Sequence, residues 1–152
     1  MGKLTLSSPA FKHNSSMPKK YTCQGENINP PLEISGVPKE AKSLALIMTD
    51  PDTPIKMTVT HWVICHLDPK TKKIEEGSKL ENAIIGKNMM RRNAYMGPCP
   101  PWGTHRYILQ LFALNEQLPL NSNSTKKQVL KAMKDHIIEQ TELIGLYSKE
   151  KQ

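Results

Sequence analysis

The pattern of apolar and polar positions is mostly that of strands. Residues 43–49 (SLALIMT) form an unbroken apolar run of buried-strand length, and Asp50-Pro51 stops it. Residues 58–67 are rich in Thr, Val, Ile, His and Trp and predict a second strand. A third, long strand is predicted over 106–114 (RYILQLFAL). Shorter strands fit 3–7, 32–34 and 83–87, while 11–31 is polar and turn-rich and 68–78 reads as a charged loop.

One helix is signalled. Thr125 and Gln128 have the spacing of a capping box, and Val129, Leu130, Met133, Ile137 and Ile138 follow at helical intervals. Lys126, Lys127, Lys131 and Lys134 fall mostly on the other face, as in a helix packed on a sheet. Gly145 is expected to end this region, with Leu146-Tyr147 as a last short strand. The whole predicts a mainly β protein, an antiparallel β-sandwich with one or two peripheral α-helices.

Composition narrows this picture. A chain of 152 residues fits one domain, spanning 1–152, and can bury a real core. With aromatics at 5%, aliphatic residues and Met must fill it, and 12 Pro with 8 Gly favour turns over long helices. No apolar run reaches the roughly 18 residues of a membrane span. The first residues lack a signal-peptide core, so a cytoplasmic location is expected. The three Cys (23, 65 and 99) argue against a disulfide framework, although one bridge stays open, and no CxxC pair suggests zinc. The net charge of +7 comes from spread lysines without interleaved aromatics, which does not point to nucleic acid.

Candidate chemistry gathers at Asp50-Pro51-Asp52-Thr53-Pro54, His61-Trp62, Gly97-Pro98-Cys99-Pro100-Pro101 and His105-Arg106-Tyr107. Prolines stiffen the acidic turn. Strand alternation puts His61 with Val63 and Cys65 on one face and Trp62 with Ile64 on the other; His105 and Tyr107 share a face opposite Arg106. An Asp accepting from a His fixes its tautomer and favours its charged form. Such a His, a Tyr hydroxyl and backbone N–H groups from Gly97, Cys99 or 102–104 would hold an anion. Taken singly, each motif also fits a structural role.

Taken in order, these motifs, together with Tyr21-Thr22-Cys23-Gln24-Gly25-Glu26-Asn27, Pro30-Pro31-Leu32, residues 111–114 (LFAL) and 142–147 (ELIGLY), make the sequence resemble the phosphatidylethanolamine-binding protein and Raf kinase inhibitor-like family, in its prokaryotic branch. The resemblance covers about residues 20–147. It implies a Greek-key-like β-sandwich with a cis-proline in the acidic turn. It also implies an anion pocket lined by Asp50, Asp52, Pro54, His61, Pro101, His105 and Tyr107, with Gly97 and Cys99 in the loop. The implied ligands are phosphate, acetate or phosphoryl head groups, without cofactor or metal. The implied role is non-catalytic regulation, with a protein kinase or a serine protease as partner. A protease inhibitor would use an exposed loop, for which residues 87–92 are the candidate. A hydrolase using an Asp–His pair is the enzymatic alternative. The chain ends soon after Tyr147, short of the extra C-terminal helix of eukaryotic members, so a more open pocket is expected.

Overall fold

The computed structural model describes residues 2–149. Among these, the strands are β1 (Thr5–Ser7), β2 (Ser15–Ser16), β3 (Leu32–Ser35), β4 (Ser43–Asp50), β5 (Val59–Leu67), β6 (Lys73–Ile74), β7 (Ile84–Ile85), β8 (Thr104–Leu114) and β9 (Ile137–Ser148). One helix, α1 (Lys126–Met133), precedes β9, and a 3-10 turn spans Lys19–Tyr21. The larger sheet has the order β2-β9-β8-β4-β5-β7, and the smaller one β1-β3-β6. All pairings are antiparallel except β2 with β9.

Strand β4 is central, and every one of its residues is buried. That explains its unbroken apolar run, because both faces are covered. Leu44, Leu46 and Met48 pack with Trp62, Ile64, Leu109 and Leu111 against Leu6, Leu32, Ile34 and Ile74 of the smaller sheet. On the opposite face Ala45 and Ile47 meet Val63, Cys65, Phe112 and the α1 residues Val129 and Met133. Each fully buried aliphatic side chain contributes about 1.5–3 kcal/mol by leaving water. Burial pushes the Cys65 thiol up to about 11, which suits an inert packing residue.

The helix begins as its sequence predicts. Thr125 Oγ1 accepts from the Gln128 amide, and the Gln128 side chain accepts from the Thr125 amide. It ends earlier than predicted. Asp135 adopts φ 70°, which breaks the helix, and Ile137 and Ile138 open β9 instead. The strand gains a long ladder with β8, continuous from Thr104↔Ser148 to Ala113↔Glu139 and then, past a bulge, to Leu114↔Ile137. Ile137 is exposed, so its apolar character never marked a helix face. Gly145 likewise lies inside β9. A Cβ there would sit 2.9 Å from Met17 Cε and 3.0 Å from Phe11 Cε2, so the glycine admits close packing and does not end the segment.

Two smaller differences concern loops. The charged stretch 68–78 contains β6, whose Ile74 is buried. The acidic turn holds no cis-proline, because every peptide bond among the described residues is trans. Trans is the favoured X-Pro isomer by about 0.5–1 kcal/mol. The turn closes instead through Asp50 Oδ1, which accepts from the Asp52 amide at 2.8 Å.

Candidate functional site

The site lies where β4, β5 and β8 end together. Asp50 closes β4 with its side chain almost fully buried, and its Oδ2 lies 2.6 Å from His105 Nδ1. His105 Nε2 lies 3.2 Å from the Trp102 carbonyl oxygen. Both ring nitrogens therefore face oxygen acceptors, one of them a carboxylate. Two residues along β8, Tyr107 stacks beside His105 with ring centroids 6.3 Å apart and planes at 18°. Burial raises the Tyr107 phenol far above its ordinary value, and the neighbouring Asp50 carboxylate adds to this. The hydroxyl stays neutral and able to donate.

Simple alternation does not place His61. Met48 pairs with Trp62, but the next β4 residue, Thr49, pairs with Thr60. His61 is the extra residue of a β-bulge, and a bulge re-aims a side chain. It leaves the face of Val63 and Cys65 and turns toward Tyr107, meeting its ring edge-on with centroids 5.3 Å apart. His61 Nδ1 donates to the Met96 carbonyl at 2.6 Å, while the Met96 amide donates to the His61 carbonyl at 2.9 Å. Burial lowers the His61 pKa, and the carbonyls of Met96 and Gly97 and the Asp50 charge partly oppose that shift.

The 97–101 loop forms the facing wall, and residues 21–27 fix it. The Gly97 amide donates to Asn27 Oδ1 at 2.9 Å, and the Cys23 amide to the Pro98 carbonyl at 3.1 Å. A disulfide joins Cys23 to Cys99, so the bridge left open by the sequence is present, and Cys65 is the buried free thiol. Gly97 is required by space: a Cβ there would lie 2.3 Å from Asn27 Oδ1 and 2.5 Å from the Tyr21 carbonyl. The expected anion donors in this loop are partly spent. Gly97 donates to Asn27.

These parts enclose a cavity of about 300 Å³. Asp50, Pro54, His61, Gly97, Cys99, Pro101, His105 and Tyr107 all line it. Asp52 does not. Its carboxylate turns to Arg106, accepting from the backbone amide and Nε at 2.9 Å and from Nη2 at 2.8 Å. The guanidinium beside it holds Asp52 at about 2. Asp52 thus clamps the acidic turn to β8 and leaves Asp50 to contact the cavity. Sequence reasoning missed Thr53, Ile55, Val59, Met96 and Pro100 as lining residues. Proximity to the named motifs was the signal available for them. Apart from Thr53 they make the wall apolar. Among the described residues no cluster of three or more metal-ligating side chains occurs, and no helix is long and apolar enough to cross a membrane.

A β-sandwich with a small cleft of two histidines, a tyrosine and a buried aspartate at the strand ends is the class of protein defined so far. The phosphatidylethanolamine-binding protein family model matches residues 7–148, and the chain belongs to that family. It is similar to a UPF0098 protein of Methanothermobacter thermautotrophicus, with 45% identity covering 95% of this chain and 98% of that protein. A UPF0098 protein of Chlamydia pneumoniae is also 45% identical, covering 96% and 99%. Among solved structures, a phosphatidylethanolamine-binding protein homologue from Chlamydia trachomatis superposes with a TM-score of 0.94 at 41% identity, covering 99% of this chain and 100% of that one. YbcL of Escherichia coli, described as a member of the mammalian family, gives 0.89 at 26% identity, covering 97% and 99%.

Proposed function

We propose that this chain is a non-catalytic regulatory protein whose cleft takes a small anion: a phosphate, a carboxylate or a phosphoryl head group. One observation carries the reading. The bulge at His61 brings a second imidazole onto the face that already holds His105 and Tyr107. Two imidazoles and a neutral phenol then surround a cavity whose other walls are largely apolar. An apolar wall excludes water and strengthens each charge-assisted bond to an anion.

His61 carries the pH logic. With Nδ1 donating to Met96, the neutral ring presents a bare Nε2, which repels an anion. An anion is therefore bound together with a proton on Nε2, and affinity falls as pH rises. The hydrolase alternative finds less support, because the His105 nitrogen not bonded to Asp50 faces the Trp102 carbonyl. The 87–92 segment, expected as an inhibitory loop, is a closed turn with the Arg91 amide donating to the Asn88 carbonyl, and not an extended strand.

The test is an NMR titration of the imidazole signals with inorganic phosphate, acetate and phosphorylethanolamine at several pH values. Saturable shifts at His61 and His105, weaker at higher pH and lost in His61→Ala, are expected. Unmoved imidazole signals with all three probes would refute the reading.

A further inference from the structure

A second cavity, about 530 Å³, lies on the other side of β5, between the 87–91 turn and the start of α1. Thr60, Lys87, Arg91, Thr125, Lys126 and Lys127 line it. Thr60 and His61 are neighbours in sequence, yet they line different cavities. We propose that this cleft binds an oligophosphate, two or three linked phosphates, free or carried on a nucleoside.

The charge distribution supports this first. Residues 82–134 hold eight Lys and Arg and a single acid, Glu116. The remainder of the chain balances thirteen cations with thirteen acids. The whole net charge of +7 thus belongs to this stretch. Four of its cations converge on the cleft. Lys87 Nζ donates to Asn93 Oδ1 at 2.7 Å, and none of the four forms an ion pair among the described residues.

The helix start points the same way. A helix N-terminus favours acids, yet the first turn of α1 holds two lysines and no acid. That arrangement costs stability, and local rules are broken where function requires it. The capping box satisfies the Gln128 amide and the parallel bridge between Lys87 and Thr125 engages the Lys126 amide, while the Lys127 amide has no backbone partner among the described residues. Thr60 adds a hydroxyl at the cavity wall.

The walls are fixed in advance. The Lys87 amide donates to the Ser124 carbonyl at 2.8 Å, and the Asn93 side chain bridges the Ile85 and Ser122 carbonyls. Buried Asn88 accepts from the Met90 and Arg92 amides and donates to the Ala94 carbonyl, holding Arg91 at φ 59°. A single phosphate would neutralise only part of four cations, whereas linked phosphates reach both walls. Met89 is the apolar lining side chain, and no aromatic ring lines the cleft for base stacking as single-stranded nucleic acid would need.

The test is a titration of the full chain at low salt with sodium tripolyphosphate, ATP and inorganic phosphate, followed by amide NMR and calorimetry. With tripolyphosphate and ATP, saturable shifts at Thr60, Arg91, Lys126 and Lys127 are expected, and they persist unchanged in His61→Ala, which separates this cleft from the His61 pocket. Tripolyphosphate should bind at least about tenfold tighter than phosphate. The Lys126→Glu/Lys127→Glu variant should lose at least about tenfold in affinity while its Tm holds or rises, since it restores the helix-end charge preference. Equal affinity for ATP and tripolyphosphate would assign recognition to the phosphates alone; tighter ATP binding would add a nucleoside contact at Met89. Absence of saturation, equal affinity for phosphate and tripolyphosphate, or unchanged affinity in the double variant would overturn the proposal.

Discussion

The Cys23–Cys99 disulfide ties the wall of the candidate pocket to a segment 76 residues earlier in the chain. Its main effect on stability is on the unfolded ensemble, where it closes a long loop. For a closure of 76 residues, the chain-entropy relation gives about 15 cal/mol/K, or about 4.5 kcal/mol at 25 °C. Native-state enthalpy changes little in this reasoning, because other bonds also hold the wall: Gly97 to Asn27, Cys23 to Pro98, and the Tyr95 hydroxyl to the Tyr21 carbonyl at 2.8 Å. At about 2.1 cal/mol/K per residue, 152 residues unfold with an entropy of about 0.32 kcal/mol/K. The Cys23→Ser/Cys99→Ser variant should therefore melt about 14 °C lower. Calorimetry of this variant beside the oxidised wild type, and of the wild type with reductant, measures it. Reductant should bring the wild type to the variant's Tm, because both cysteines are exposed. A difference below about 3 °C would refute the loop-closure reasoning and mean that the unfolded chain already keeps these segments together.

Three further outcomes follow from the site. Burial lowers the pKa of His61 below its ordinary 6.5, so as pH falls the unfolded chain takes up this proton before the folded one does. Its contribution to stability is complete above about pH 6.5 and declines below it, levelling once the folded His61 also protonates. Urea midpoints from pH 5 to 8 should show this slope, and it should flatten in His61→Gln. Asp52 is held at about 2, so its ion pair with Arg106 stabilises the fold above about pH 4, and that stability is lost as pH falls through about 2. Arg106 is about half exposed and solvent screens the pair, so Arg106→Ala should lower the urea midpoint only slightly at pH 7, and the difference from wild type should vanish near pH 2. Gly97→Ala drives a Cβ into a backbone carbonyl and should cost about 1–3 kcal/mol and weaken phosphate binding, as followed by thermal melts and titration.

Much of this architecture was legible in the sequence because its cause is local. The apolar run of β4 requires cover on both faces, and the Thr125/Gln128 pair closes a helix start by its own hydrogen bonds. His105 and Tyr107 share a face through strand periodicity alone. Eight residues named from the motifs at 50–54, 61, 97–101 and 105–107 line the cleft, whereas Asp52 turns away and Ile55, Val59 and Met96 lie outside those motifs. Other features depend on partners remote in the chain. The segment 137–148 has no strong preference of its own, and it becomes a strand because β8 offers a full ladder of hydrogen bonds. His61 points into the cavity because β5 holds one more residue than β4 needs there, a register fact that alternation within one strand cannot contain. Asp50 and Asp52 look equivalent in the sequence, but His105 takes one and Arg106 the other, because alternate β8 side chains point to opposite faces. The pairing of Cys99 with Cys23, and the gathering of Lys87, Arg91, Lys126 and Lys127 around one cleft, were likewise decided by tertiary packing, which joins residues that chain distance keeps apart.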